Sequence, residues 1–397
     1  VYITPSFVAV LLFLGVTSCA PTAVPPIGKE ESFQLATDER RLWNMSKDEQ
    51  KKLERSGLIY EDPILVAYLN EIAQRLIPNN IKEKGPSFKI KVLKNPLVNA
   101  FSFPNGVIYV HTGFVAKMEN EAQLATLLAH EISHVTHRHA IQGFRNVKDT
   151  AAFLATLQVV AAPAGVYGAG VTILGAIGAM AAVSGYSNAS EEEADREGLD
   201  LLVKAGYDPE EAPKLFDHVK RDIEEREITE PFFFGTHPRL QERKDSYTQL
   251  LQSIYADKKG HKGTERFMQK IPSLLLDNAL LDLSMGRFSL AKGTIKRFLQ
   301  RKPQSARGRY CLGEIFRQRG EEGDRQKAER EYQLAIQHNP SYPESYKGLG
   351  LIYYKRGEKE KARAQFERYL SLVPEARDKG YIEHYLQDIE QRRGSSL

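Results

Sequence analysis

Two histidines four residues apart, with a glutamate directly after the first, stand at His130-Glu131-Ile132-Ser133-His134 within an apolar, helix-favouring run from Asn120 to Val135. On a helix, residues i and i+4 lie one above the other, about 6 Å apart along the axis. Both imidazoles can then reach one metal ion, while Glu131 projects about 100° to the side. This is the set a zinc hydrolase needs: two nitrogen ligands and an adjacent carboxylate that takes a proton from the attacking water. A catalytic zinc takes a third protein ligand. The candidate is Glu191, in Ser190-Glu191-Glu192-Glu193-Ala194-Asp195-Arg196-Glu197-Gly198. Glu191 and Asp195 share a helical face, and the intervening chain is long enough for a second helix to return against the first. The expected ligands are therefore His130, His134 and Glu191, with Asp195 placed to hold a ligand histidine by its other nitrogen. His137 lies about 10 Å further along the axis than His130 and cannot share a metal with it. Taken alone, the acidic run reads as a solvated helix start whose charge suits the dipole. Its pairing with the first motif makes Glu191 the ligand. The extended pattern H-E-x-x-H-x-x-G-x-x-H is excluded, because positions 137 and 140 hold His and Ala.

H-E-x-x-H followed by E-x-x-A-D resembles the M48 family of zinc metallopeptidases. Asn99-Ala100-Phe101 with Pro104-Asn105-Gly106 and Ile108 to Gly113 is similar to the family's edge-strand and hairpin segment, and Thr236-His237-Pro238 with Arg243 is similar to a motif near its active site. The resemblance runs from about residue 60 to 250. With the repeats described below, it is strongest to the periplasmic subgroup that carries tetratricopeptide repeats. One departure is Tyr186-Ser187-Asn188, where relatives often have Ser-Arg. The resemblance implies that Glu131 is the general base and that the strand at Asn99, Ala100 and Phe101 binds substrate backbone by strand addition. It also implies that His237 lies near zinc, either as a fourth ligand that gates the site or as a stabiliser of the tetrahedral intermediate. We favour the gate.

The chain has 397 residues, 42% of them hydrophobic, and a formal charge of +4. That length suits two or three domains with sizeable cores. The charge is too small to imply nucleic acid, and no basic stripe with interleaved aromatics appears. Residues 7–16 form an apolar core too short for a membrane span and suited to a secretory signal. The following Val16-Thr17-Ser18-Cys19-Ala20 resembles a lipobox, so Cys19 is expected to carry lipid and tether the chain to a membrane. Only one other cysteine, Cys311, exists, and a lipidated Cys19 leaves it no disulfide partner.

Residues 20–32 read as a tether and 37–55 as a leading helix. Phe88 to Leu93 alternates as a half-buried strand does, Pro104-Asn105-Gly106 marks a hairpin, and the metal helix is expected over about 119–142. From Thr150 to Ser190 no residue is charged. Pro163 to Gly165 splits this stretch into pieces, the first too short to span a bilayer, and both flanks must return to one site. Two Ala/Gly-rich helices over the cleft are expected. Further on, Leu349-Gly350, Tyr353, Gly357, Ala362, Phe366 and Pro374 match the helix–turn–helix repeat pattern. Leu312-Gly313 to Pro340 match it again, and Gly286, Ala291, Phe298 and Pro303 form a weaker copy.

The expected architecture is α+β and mainly α. A signal at 1–18 and a tether with its leading helix at 19–58 precede a zincin-type peptidase domain with a small sheet at 59–257. A linker at 258–270 leads to an α-solenoid of three repeats plus a capping helix at 271–397. The expected function is a one-zinc endopeptidase of the bacterial envelope, in the periplasm on the outer membrane. Its expected partners are unfolded or misassembled envelope proteins and, through the repeats, outer-membrane assembly machinery. The rival function is an envelope chaperone or scaffold with secondary proteolysis.

Overall fold

The computed structural model describes residues 24–29, 33–146, 186–226 and 240–394. Cys19, His237 and nearly all of the uncharged 150–190 stretch lie outside the described residues. Among the described residues, no helix is long and apolar enough to cross a membrane.

The peptidase part opens with α1 (Thr37–Arg55), α2 (Pro63–Leu76) and the short α3 (Asn79–Lys84). Asp62 caps α2 through the backbone N–H groups of Ile64 and Leu65, and Pro63 occupies the first turn, where its missing N–H costs nothing. Three strands follow: β1 (Lys89–Leu93), β2 (Ala100–Ser102) and β3 (Val107–His111). Their order is β1-β3-β2, with β1 parallel and β2 antiparallel to β3. The turn at Pro104-Asn105-Gly106 joins the antiparallel pair. Gly106 has φ +90°, and Phe103 N donates to Val107 O at 2.8 Å. β2 is thus left at an edge of the sheet.

After α4 (Thr112–Lys117) comes α5 (Glu121–Thr136), which carries the H-E-x-x-H string. Every residue of α5 is buried. It is enclosed by α2, the sheet, and α7 (Asn188–Lys204), as expected of a helix with no dedicated polar face. Asn120 caps α5 by accepting from Gln123 N. The helix is shorter than expected. It stops at Thr136, the chain turns through Arg138 in the left-handed region at φ +58°, and α6 (His139–Asn146) sets off anew. The turn is stabilised from outside: Arg138 Nε donates to Glu39 Oε1 at 3.0 Å, and its guanidinium lies 5.5 Å from the Phe33 ring centroid.

Two segments expected as connectors pack instead. In the tether, Val24 and Ile27 are buried, and Ile27 N donates to Thr136 O at 2.8 Å. Two apolar side chains and one backbone bond suffice to dock it. The expected linker 258–270 is helical from Thr264 to Lys270 (α10), because Phe267 and Met268 enter the core. Before it lie α8 (Lys214–Arg226) and α9 (Leu240–Ser253).

Three helix pairs then form the solenoid: α11 (Pro272–Ser284) with α12 (Phe288–Arg301), α13 (Ala306–Arg319) with α14 (Asp324–His338), and α15 (Pro343–Arg356) with α16 (Lys359–Leu372). They are capped by α17 (Lys379–Gly394). Glycines set their spacing. A Cβ on Gly313 or Gly348 would lie 2.6 Å from the Tyr332 ring, and one on Gly350 would lie 2.4 Å from Phe366. The first pair, together with α13, shares one continuous apolar core with the peptidase part, running from Leu65 and Ile72 through Phe267 and Leu274 to Phe298 and Ile315. Tyr60 donates to Asp277 at 2.9 Å and Arg297 to Met118 O at 2.7 Å across the same junction.

Candidate metal centre

The site is built where α7 crosses α5. Close approach is possible because α7 presents Gly198 to α5. A Cβ on Gly198 would meet His130 N at 3.1 Å and the Ala129 carbonyl carbon at 3.2 Å. That contact brings Glu191, one turn before Asp195 on α7, over the two histidines of α5. His130 Nε2 and His134 Nε2 face each other at 3.0 Å. Glu191 Oε1 is 3.3 Å from His134 Nε2, and Glu191 Oε2 is 3.6 Å from His130 Nε2. Among the described residues this is the one group of three such side chains that could hold a metal ion. Ligand atoms about 2.0–2.2 Å from a tetrahedral zinc lie roughly 3.3–3.5 Å from one another. The separations of 3.0 to 3.6 Å, in which each imidazole faces a different Glu191 oxygen, lie around that value, and two imidazoles with one carboxylate are a donor set that zinc accepts. The group fits.

His130 is held from behind. Its Nδ1 lies 2.9 Å from Asp195 Oδ1. Arg243 donates to the same carboxylate from Nε at 2.8 Å and from Nη2 at 2.7 Å, and Tyr247 adds its hydroxyl at 3.2 Å. Arg243 Nη1 is also 3.0 Å from Glu191 Oε2. Burial disfavours the arginine's charge, but Asp195 and Glu191 outweigh it and hold its pKa above the ordinary value. Burial likewise disfavours Asp195 ionisation, and Arg243 and His130 overcome it, so its pKa is lowered.

His134 is held differently. The Tyr186 ring stacks on it at 3.7 Å and 13°. Its Nδ1 lies 2.8 Å from His139 Nδ1, and His139 Nε2 lies 3.0 Å from Glu193 Oε2. Burial lowers the pKa of His139, opposed by Glu193. Glu131, directly after His130, is fully buried on α5. His137, set aside on spacing, points back to its own helix, with Nδ1 3.1 Å from Ser133 O.

The sequence-derived residues His130, His134, Glu191 and Asp195 thus come together. Asn99, Ala100 and Phe101 fall at the β2 edge beside α5, but their side chains are buried, and Phe101 stacks on Tyr109 at 5.4 Å. Whatever β2 offers a peptide is main chain. Sequence reasoning missed His139 and Glu193 as partners of His134, and Tyr186 as its stacking partner. Arg243 was noticed only within a motif. The one available signal for His139 was the density of imidazoles in His130, His134, His137 and His139.

A family model described as Peptidase family M48 matches residues 63–249, and a tetratricopeptide repeat model matches residues 276–322 and 321–377. The metalloprotease LoiP of Escherichia coli K12 is 31% identical over 183 residues, which cover 44% of this chain and 68% of that one. The chain belongs to the M48 peptidase family. It is also 30% identical over 230 residues to a putative beta-barrel assembly-enhancing protease of Vibrio cholerae, covering 56% of this chain and 46% of that protein. The beta-barrel assembly-enhancing protease of Escherichia coli K12 is 31% identical over 204 residues, covering 49% and 40%. The chain spans less than half the length of these two M48 relatives.

Proposed function

We propose that this chain is a zinc-dependent endopeptidase of the bacterial cell envelope that acts on misfolded or stalled exported proteins. The observation that carries the reading is the buried His130–His134–Glu191 triangle with Glu131 beside it on the same helix. These three residues would hold one zinc ion, which when bound supplies a Lewis acid for the scissile carbonyl and the attacking water. Glu131 takes the proton of that water and delivers it to the leaving amine. Asp195 orients His130 through Nδ1 and fixes its tautomer. The edge at β2, with Asn99, Ala100 and Phe101, receives the substrate main chain as an added strand. His237 caps the resting site as a gate.

The names of the relatives, which refer to beta-barrel assembly, support an envelope compartment and partners of that kind. Cys19 carries a lipid that tethers the chain to the outer membrane, facing the periplasm. The repeats bind substrates or the outer-membrane assembly machinery. Their first pair shares a core with the peptidase part, so a bound client is held at a fixed distance from the site.

The test is cleavage of a denatured protein by the full chain beside Glu131→Gln. The variant should be silent while wild type cuts, because an amide cannot take the proton. Equal turnover by both would remove Glu131 from the mechanism. Full cellular function of the silent variant would favour the scaffold reading.

A further inference from the structure

We propose that His139 is a positioning residue for His134, aimed by the left-handed corner at Arg138 that the N-terminal segment clamps. The inference rests on the zinc reading above.

The protons decide the arrangement. His134 turns Nε2 toward His130 and Glu191, so a metal there takes the Nε2 lone pair and the ring proton resides on Nδ1. That Nδ1–H points at His139 Nδ1, 2.8 Å away, which must then be an acceptor. His139 is accordingly neutral with its own proton on Nε2, 3.0 Å from Glu193 Oε2. One assignment satisfies every group: the Glu193 carboxylate accepts from His139, His139 accepts from His134, and His134 offers its remaining lone pair to the metal. The two ligand histidines are therefore held unlike each other. His130 meets a carboxylate directly at Asp195. His134 meets a buried neutral imidazole, with the carboxylate one step further out.

His139 reaches that position only because α5 ends early. Five residues along an unbroken helix would place it about 140° from His134. The corner at Arg138, φ +58°, turns it back. A non-glycine residue in that region is disfavoured, and the N-terminal segment offsets the cost. Glu39 takes Arg138 Nε at 3.0 Å and also Nη2, and Pro25 O accepts from Nη1 at 3.3 Å. Ile27 N caps Thr136 O at 2.8 Å just before the turn. The segment in front of the peptidase part thereby helps set the angle of a ligand imidazole.

Loss of such an outer partner typically costs about 10–100-fold in metal affinity. The experiment uses the full chain and measures zinc affinity by chelator competition, together with the visible spectrum of the cobalt(II)-substituted protein. His139→Phe keeps a ring but has no acceptor. His139→Asn places Oδ1 where Nδ1 stood. His139→Phe should bind zinc about 10–100-fold more weakly with a changed cobalt spectrum, and His139→Asn should recover most of the loss. Wild-type affinity and spectrum in His139→Phe would overturn the proposal, as would an Asn variant as weak as the Phe one. If His139→Phe does not fold by circular dichroism, Glu193→Ala decides, since that side chain is 38% exposed and tolerates truncation. It should loosen zinc measurably, and unchanged affinity overturns the proposal. Failure of the zinc reading looks different: wild type itself would bind no zinc.

Discussion

Asp195→Ala separates what holds the fold from what holds the metal. Asp195 is 3% exposed and serves His130 Nδ1, Arg243 Nε and Nη2, and the Tyr247 hydroxyl. Truncation leaves a buried guanidinium with Glu191 as its remaining carboxylate, at 3.0 Å. Breaking a buried pair from one side costs about 3–5 kcal/mol. Because Glu191 still faces Arg243, the lower end applies, ~3 kcal/mol, or roughly 6–12 °C in Tm for a domain of this size. Zinc is loosened twice over: His130 loses its orienting acceptor, and Arg243 competes for Glu191. The outer-partner effect alone is about 10–100-fold. The double variant Asp195→Leu/Arg243→Met then distinguishes the two roles. Replacing a buried pair by apolar groups often restores stability, but the Asp195 carboxylate that orients His130 Nδ1 is still gone. Thermal melts of the metal-free proteins and zinc competition provide the assay. The melting temperature should recover in the double variant while zinc affinity stays low. A double variant that regains both, or an Asp195→Ala chain that melts like wild type, would refute the reasoning.

Gly198→Val should destabilise the chain by about 1–3 kcal/mol through overpacking, because its Cβ would meet the His130 backbone N at 3.1 Å, and zinc should weaken as Glu191 is pushed off; unchanged zinc affinity would contradict the close-approach argument. Glu211 bridges Asn120 at the α5 cap to Gln123, Lys214 and Lys262. Burial opposes its ionisation, but these hydrogen bonds outweigh it and push its pKa down to about 2 from 4.5. Its stabilisation is therefore full above the unfolded value and lost as pH falls from about 4.5 toward 2. Glu211→Gln should flatten the acid limb of stability against pH in that window, and a denaturant series from pH 6 to 2 that shows wild-type slope would rule this out.

The meeting of His130, His134 and Glu191 was legible because two i,i+4 pairs each define a helix face, so only the packing of two helices remained unknown. The repeats were legible for a similar reason, since Gly313 and Gly350, and their aromatic partners Tyr332 and Phe366, each recur about one repeat length apart. The end of α5 was not legible. Arg138 is neither Gly nor Pro, and its left-handed conformation is stabilised by Glu39, 99 residues away in sequence. Missing that corner hid His139, which a continuous helix would have turned aside. The docking of the tether and of residues 264–270 was hidden too, because Val24 and Ile27 are isolated in a proline-rich stretch and Phe267-Met268 is a lone apolar pair among polar residues. Their burial depends on surfaces formed by distant segments.

Zinc content measured across a small set of variants decides whether α5 and α7 build the metal site. One tightly held zinc is expected per wild-type chain and the same in Glu131→Gln, which keeps His130, His134 and Glu191. His130→Ala and Glu191→Ala should each lose most of it, because a three-ligand site seldom survives as two. Stoichiometric, tightly held zinc in Glu191→Ala would place the third ligand elsewhere and contradict the site built here from α5 and α7.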